Sequence, residues 1–230
     1  ARDFFHFMRR ALDETHLLQV MYAVDGSRVP EERELSHLRG YADSSPVRIG
    51  NGARDQVQLD TSGALVDAAY LYERFGGALS LRTWRHIRKV IDDVMTTWQI
   101  PDDGIWEIRS GRQHHTFSKV LAWVALDRLL RLHERGHLRT PADRFATERE
   151  AIRTAVEAHG YNAMLQSYVA VLGGDTPDAS LLQLWRYGYL AADAPRMRAT
   201  CERVYEQLGH DGLLWRYSTS ADDGLPPGEG

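Results

Sequence analysis

The 230-residue chain reads as an all-α domain, with helix pairs joined by alternately short and long connections into an antiparallel array or toroid. Two observations carry this reading. Apolar residues recur at helical spacing over most of the length, whereas the extended candidates are only a few residues long. Four loop-like stretches, about 36–58, 99–116, 173–180 and 218–230, separate the helical ones, and no fixed-period repeat of the solenoid kind is present.

The elements follow in order. Phe4, Phe5, Met8, Ala11 and Leu12 form one helical stripe. Leu18, Val20, Tyr22 and Val24 alternate with their neighbours and meet the turn pair Asp25-Gly26, which predicts a short strand. A helix is expected from Ser62 to Phe75, before Gly76-Gly77. Ser80 is placed to cap a helix carrying Leu81, Trp84, Ile87, Ile91, Val94, Met95 and Trp98 on one broad face. Thr116 or Ser118 opens the next, with Val120, Leu121, Val124, Leu129 and Leu132, ended by Gly136. Thr140-Pro141 opens another, ended by Gly160. Two more are predicted over 178–190 and 195–208, the last stopped by Gly209, with Leu214 to Tyr217 as a further extended candidate.

Bulk properties exclude several classes. With 43% hydrophobic and 26% charged residues the chain suits a globular protein with a real core. A net charge of −4 makes no electrostatic case for nucleic acid or an anionic membrane. The single cysteine, Cys201, sits in a helical pattern and reads as an inert thiol. No apolar run is long enough to span a bilayer and no signal peptide is visible, so a cytoplasmic location is expected. Both ends read as cut, as in part of a longer protein.

The most informative stretch is 101–109, Pro-Asp-Asp-Gly-Ile-Trp-Glu-Ile-Arg. Pro101 and Gly104 break the helical pattern, so Glu107 stands on a loop between Trp106 and a nearby guanidinium, Arg109. A carboxylic acid beside an aromatic ring suits proton donation near neutral pH, and the flat ring suits a sugar face. The bland alternative is a surface loop with a half-buried tryptophan. His114 and His115 follow this loop and read either as polar surface or as ligand contacts. A second acid, Glu229, stands between glycines that allow a tight turn, and its alternative is a solvated acid near a terminus. Two carboxyl groups facing each other at roughly 6.5–9.5 Å are what inverting glycoside hydrolysis needs. Residues 133–137, His-Glu-Arg-Gly-His, match a zinc-peptidase pattern, but Gly136 falls where the helix should stop and would part the two histidines. Neither a nucleophile elbow nor a phosphate loop occurs, and Gly50-Asn51-Gly52 lacks the strand–helix context of one.

Several ordered motifs resemble one family. Residues 18–26 (LQVMYAVDG), 40–51 (GYADSSPVRIGN), 56–60 (QVQLD), 101–109, 118–128 (SKVLAWVALDR), 178–182 (DASLL) and 216–230 (RY…DGLPPGEG) are similar to glycoside hydrolase family 15, the glucoamylase and bacterial trehalase group. The resemblance implies an (α/α)6 barrel, incomplete over residues 1–230, with an N-terminal β-sandwich and the remaining barrel helices absent. It implies an inverting hydrolase that releases glucose from small α-glucosides or α-glucan ends, with α,α-trehalose as alternative substrate. It casts Glu107 as general acid and Glu229 as general base. Trp106 becomes a wall of the glucose subsite, Arg109 and Arg216 sugar-hydroxyl ligands, and His114 and Lys119 further lining residues. No cofactor or metal is called for. The expected partners are the sugar substrate and either the missing barrel segments or another copy of the chain. The chain departs from the family at Asp60-Thr61-Ser62-Gly63-Ala64, where the usual tyrosine and glutamate are replaced. The family's Trp-x-Arg-Asp-Ala motif is also missing, since Arg2-Asp3 lies too close to the 18–26 motif to take its place. Against the enzyme stands a second reading, a non-catalytic helical carbohydrate-binding or scaffold module.

Overall fold

The structure is a computed structural model and describes residues 2–15, 18–137 and 139–218. Among these, six α-helices carry the fold: α1 (Arg2–Thr15), α2 (Asp60–Arg74), α3 (Leu81–Thr97), α4 (Thr116–Glu134), α5 (Ala142–His159) and α6 (Pro195–Leu208). Three two-stranded antiparallel ribbons, each strand two residues long, close loops between them.

The centre is α4. Every residue from Thr116 to Leu130 is buried, because this helix has neighbours on all sides. It packs against α2 and against α5, and more lightly on α3 and a 3-10 turn at Ala179–Gln183. In turn α3 backs onto α2 and carries α1, while α6 covers the 3-10 turn. The result is an inner row of α2, α4 and the 179–190 segment, with the other helices outside it. Gly63 permits the closest approach: a Cβ there would lie 2.1 Å from the Leu121 carbonyl oxygen.

Charge ties the inner row. Buried Arg128 donates to Asp67 of α2 (2.6 Å), to Asp127 (2.6 Å) and to the Tyr187 carbonyl (2.6 Å). Arg149 of α5 reaches Asp127 at 3.3 Å, and Arg131 reaches it at 2.7 Å.

Local signals set most helix ends. The Ser80 hydroxyl accepts from Thr83 N, and Gly160 and Gly209 follow α5 and α6. Two elements differ from expectation. The 178–190 segment winds only as a 3-10 turn and then a series of turns, because Arg128 and Arg153 from other helices take the Tyr187 and Tyr189 carbonyls and Gly188 adopts φ 72°. Residues 18–24 make a tight loop with one bridge, Tyr22 to Arg28, closed by the Asp25 carboxylate accepting from Ser27 N, in place of a strand.

Candidate active site

The long loops before α2, α4 and the 179–190 segment share one end of the inner row. Of these, the 98–115 loop carries Trp106 and Glu107. Its base is closed by a reciprocal pair, Asp102 N to Gln113 O and Gln113 N to Asp102 O, both 2.9 Å. Its aspartates fasten it to the approach of α2. Asp103 accepts from Val57 N at 2.7 Å and from Arg112 at 3.1 Å. Asp102 accepts from Leu59 N at 3.2 Å and from the Ser118 hydroxyl at 2.7 Å. The Gln56 amide donates to the Ile108 carbonyl at 3.2 Å. Gly104, at φ 71°, lies so close to the His115 ring that a Cβ would meet it at 2.8 Å.

Within this frame Glu107 has φ 58°, in the left-handed region that a residue with a side chain adopts at a cost. It is half-buried. Trp106, also half-buried, donates from Nε1 to Asp178 Oδ2 at 2.9 Å and lies 6.4 Å from the Tyr217 ring. The other oxygen of Asp178 accepts from Ser180 N at 3.0 Å and from the Ser180 hydroxyl at 2.5 Å, capping the 3-10 turn. Ala179 N reaches the Arg216 carbonyl at 2.8 Å, so the 216–217 segment sits beside the same indole. Arg109 lies against Gly52 and pairs with Glu32 at 3.5 Å. Glu32 also accepts from Gly52 N at 3.0 Å, and this bond, helped by Arg109, holds its carboxyl below the usual range.

Behind the loop lies a buried ionisable cluster. Burial pushes the Asp60 carboxyl up to about 7, with the charge of Asp102 adding to it. One oxygen of each of these two aspartates is buried without a hydrogen-bond partner. Burial raises Asp178 as well, opposed by the Ser180 and Trp106 hydrogen bonds and by His115. It lowers His115, so a neutral imidazole is favoured there, and it lowers Lys119 to about 8, opposed by Asp102.

The structure gathers Trp106 and the 216–217 segment at Asp178, with Glu107 next to Trp106 and Arg109 farther along the same loop. It places His114 and Lys119 on a separate cavity of about 320 Å³ with Trp98 and His159. Lys119 is almost wholly enclosed and donates to the Ile100 carbonyl at 2.6 Å. Glu229 lies outside the described residues. The histidines at 133 and 137 do not share a helical face: α4 ends at Glu134, Gly136 has φ 75°, His133 accepts from Thr140 N and His137 approaches Glu73. Sequence reasoning missed Asp178. Its place before Ala-Ser marks a cap, but nothing local reveals that its second oxygen holds a tryptophan 72 residues away.

The sequence profile described as glycosyl hydrolases family 15 matches residues 1–230. A trehalase of Mycolicibacterium smegmatis is 40% identical over all of this chain and 35% of its own length. A trehalase of Thermoplasma acidophilum is 32% identical over all of this chain and 39% of its own length. The chain thus spans little more than a third of these relatives. A solved glycosidase variant superposes with a TM-score of 0.69 at 18% identity, covering 94% of this chain and 56% of its own. A bacterial glucoamylase complexed with acarbose gives 0.63 at 12% identity, covering 89% of this chain and 30% of its own. The architecture is that of an incomplete (α/α)6 barrel.

Proposed function

Since the chain belongs to glycosyl hydrolases family 15, we propose that it is part of the catalytic domain of an inverting hydrolase that releases glucose from an α-glucoside. Trehalose is the favoured substrate, because the similar curated proteins from bacteria and archaea are trehalases. The glucoamylase among the structural neighbours keeps short α-glucan ends as the second candidate.

In this reading Glu107 protonates the departing glycosidic oxygen. Glu229 activates a water that attacks the anomeric carbon from the opposite face, so the configuration inverts. Trp106 walls the glucose ring. Arg109 and Arg216 offer paired donors to adjacent hydroxyls, and His114 and Lys119 act from farther back. The rest of the sugar pocket comes from barrel segments beyond these residues. The observation that carries the reading is the strained, half-buried Glu107 on a loop fixed at both ends, beside an indole locked by a buried carboxylate.

The test is Glu107→Gln in the complete polypeptide. Loss of a general acid should lower glucose release from trehalose or maltose by about 10²–10⁴-fold. The loss should be far smaller with α-glucosyl fluoride, whose leaving group needs little protonation. Near-normal turnover of trehalose and maltose would remove Glu107 from the acid role.

A further inference from the structure

A pocket of about 310 Å³ lies at the far end of the inner row, toward the ends of α2 and α4. Arg74 in its wall stands about 20 Å along α2 from Asp60, which is at the acid-loop end. Among the described residues its lining comes from α2, α4 and the 186–188 turn, with none from the outer helices. The pocket therefore opens on the side of the inner row that faces away from the outer layer. Four arginines line it, Arg74, Arg128, Arg131 and Arg186, against one carboxylate, Asp67.

The carboxylates nearby are already taken. Asp67 accepts from Arg128 at 2.6 Å, and Asp127 is shared by Arg128, Arg131 and Arg149. Arg74 and Arg186 are exposed, and their guanidinium groups lie over rings, Phe75 at 5.7 Å and Tyr187 at 5.9 Å. Among the described residues neither is paired with a carboxylate. The negative end of α2 accounts for Arg74, but Arg186 stands on a turn and has no helix end to offset. Gathering these cations leaves a local positive field that a further negative charge would relieve. A guanidinium fork matches a carboxylate, which it can bind through two parallel hydrogen bonds. The chain spans little more than a third of its curated relatives, and its architecture is that of an incomplete (α/α)6 barrel. The side on which the pocket opens is where the other inner helices of such a barrel stand. We propose that this pocket docks an acidic stretch of one of those helices, carried by polypeptide outside residues 1–230, whose Asp or Glu side chains pair with Arg74 and Arg186. The proposal rests on the reading of the chain as part of a larger catalytic domain, and not on the choice of substrate.

The test uses the complete polypeptide carrying Arg74→Lys or, independently, Arg186→Lys. Each keeps the positive charge and supplies an amine that a water-soluble carbodiimide can join to a carboxyl in contact with it. Cross-linked peptides are then mapped by mass spectrometry. Arg196→Lys is the positive control, since Arg196 pairs with Glu157 at 2.7 Å within the described residues. The expected result is a cross-link from at least one of the two pocket lysines to an Asp or Glu outside residues 1–230 of the same polypeptide. If the control cross-links but neither pocket lysine does, or if both join only to carboxyls within 1–230 or to a second copy, the proposal is overturned. It is overturned equally if no such cross-link forms and inorganic phosphate raises the melting temperature of wild type but not of Arg186→Gln, because the pocket then holds a small anion. Failure of wild type to hydrolyse any α-glucoside would sink the activity reading, while the cross-link map still decides the pocket.

Discussion

Asp178→Asn isolates the contact on which the acid loop turns. Asp178 uses both oxygens, one on Ser180 and the other on the Trp106 indole. Asparagine has one carbonyl oxygen, and it is a good cap, so that oxygen stays with Ser180. Its NH₂ group then faces the indole N–H, donor against donor. Leaving a buried donor unsatisfied costs about 1–3 kcal/mol. If that cost is felt in the transition state, kcat/KM for trehalose falls roughly 5- to 150-fold in the complete polypeptide. The control is Trp106→Phe, which keeps the ring and removes the N–H. Asp178→Asn should cost much less in that background than alone, because the bond it breaks is already gone. Activity of Asp178→Asn within twofold of wild type would refute the reasoning. So would strict additivity of the two substitutions, within about 0.5 kcal/mol.

Three further outcomes follow from the packing. Asp60 keeps its proton to about pH 7 when folded but releases it near 3.8 when unfolded, so it favours the fold below about pH 4 and that contribution is lost as pH rises to about 7. Asp60→Asn should therefore be more stable than wild type at pH 8 and gain little at pH 4, as read by thermal melts at both values. Arg128→Met leaves Asp67 without its buried partner, while Asp127 retains Arg131 and Arg149; chemical denaturation should show a loss of about 3 kcal/mol, the lower end for a broken buried pair. Gly63→Ala puts a methyl into the Leu121 carbonyl, and forcing α2 from α4 should cost about 1–3 kcal/mol in the same assay.

What could be read from the sequence was local. The Ser80 cap and the glycines after α5 and α6 mark helix ends by residue type, whereas α4 begins at Thr116 without a side-chain cap, its first amide held by the distant Ala170 carbonyl at 2.8 Å. The 178–190 segment has helical spacing but loses its helix to guanidinium groups 36 and 59 residues away, which no local pattern records. Lys119 shows the same limit at the site. Its motif associates it with the acid, yet its place on α4 turns it to the Ile100 carbonyl behind the loop. Trp106-Glu107 was visible because the chemistry is contiguous; the anchor on Asp178 was not, because only the folded barrel brings it there.

These contacts also explain how the acid tolerates its backbone. A residue in the left-handed region costs of order 1–3 kcal/mol and persists only where its surroundings over-determine it. Here four carboxylates supply that constraint: Asp102 accepts from Leu59 and Ser118, Asp103 from Val57, Asp178 from the indole, and Glu32 from Gly52 and Arg109. None of the four is the acid itself. Their negative charge is offset by N–H donors and by Arg109 and Arg112, so the loop is stiffened without placing a free anion in its frame. The aspartates of the 98–115 loop are therefore best understood as its mountings, and Glu107 as the one carboxyl there for which no hydrogen-bonded role in the frame is needed.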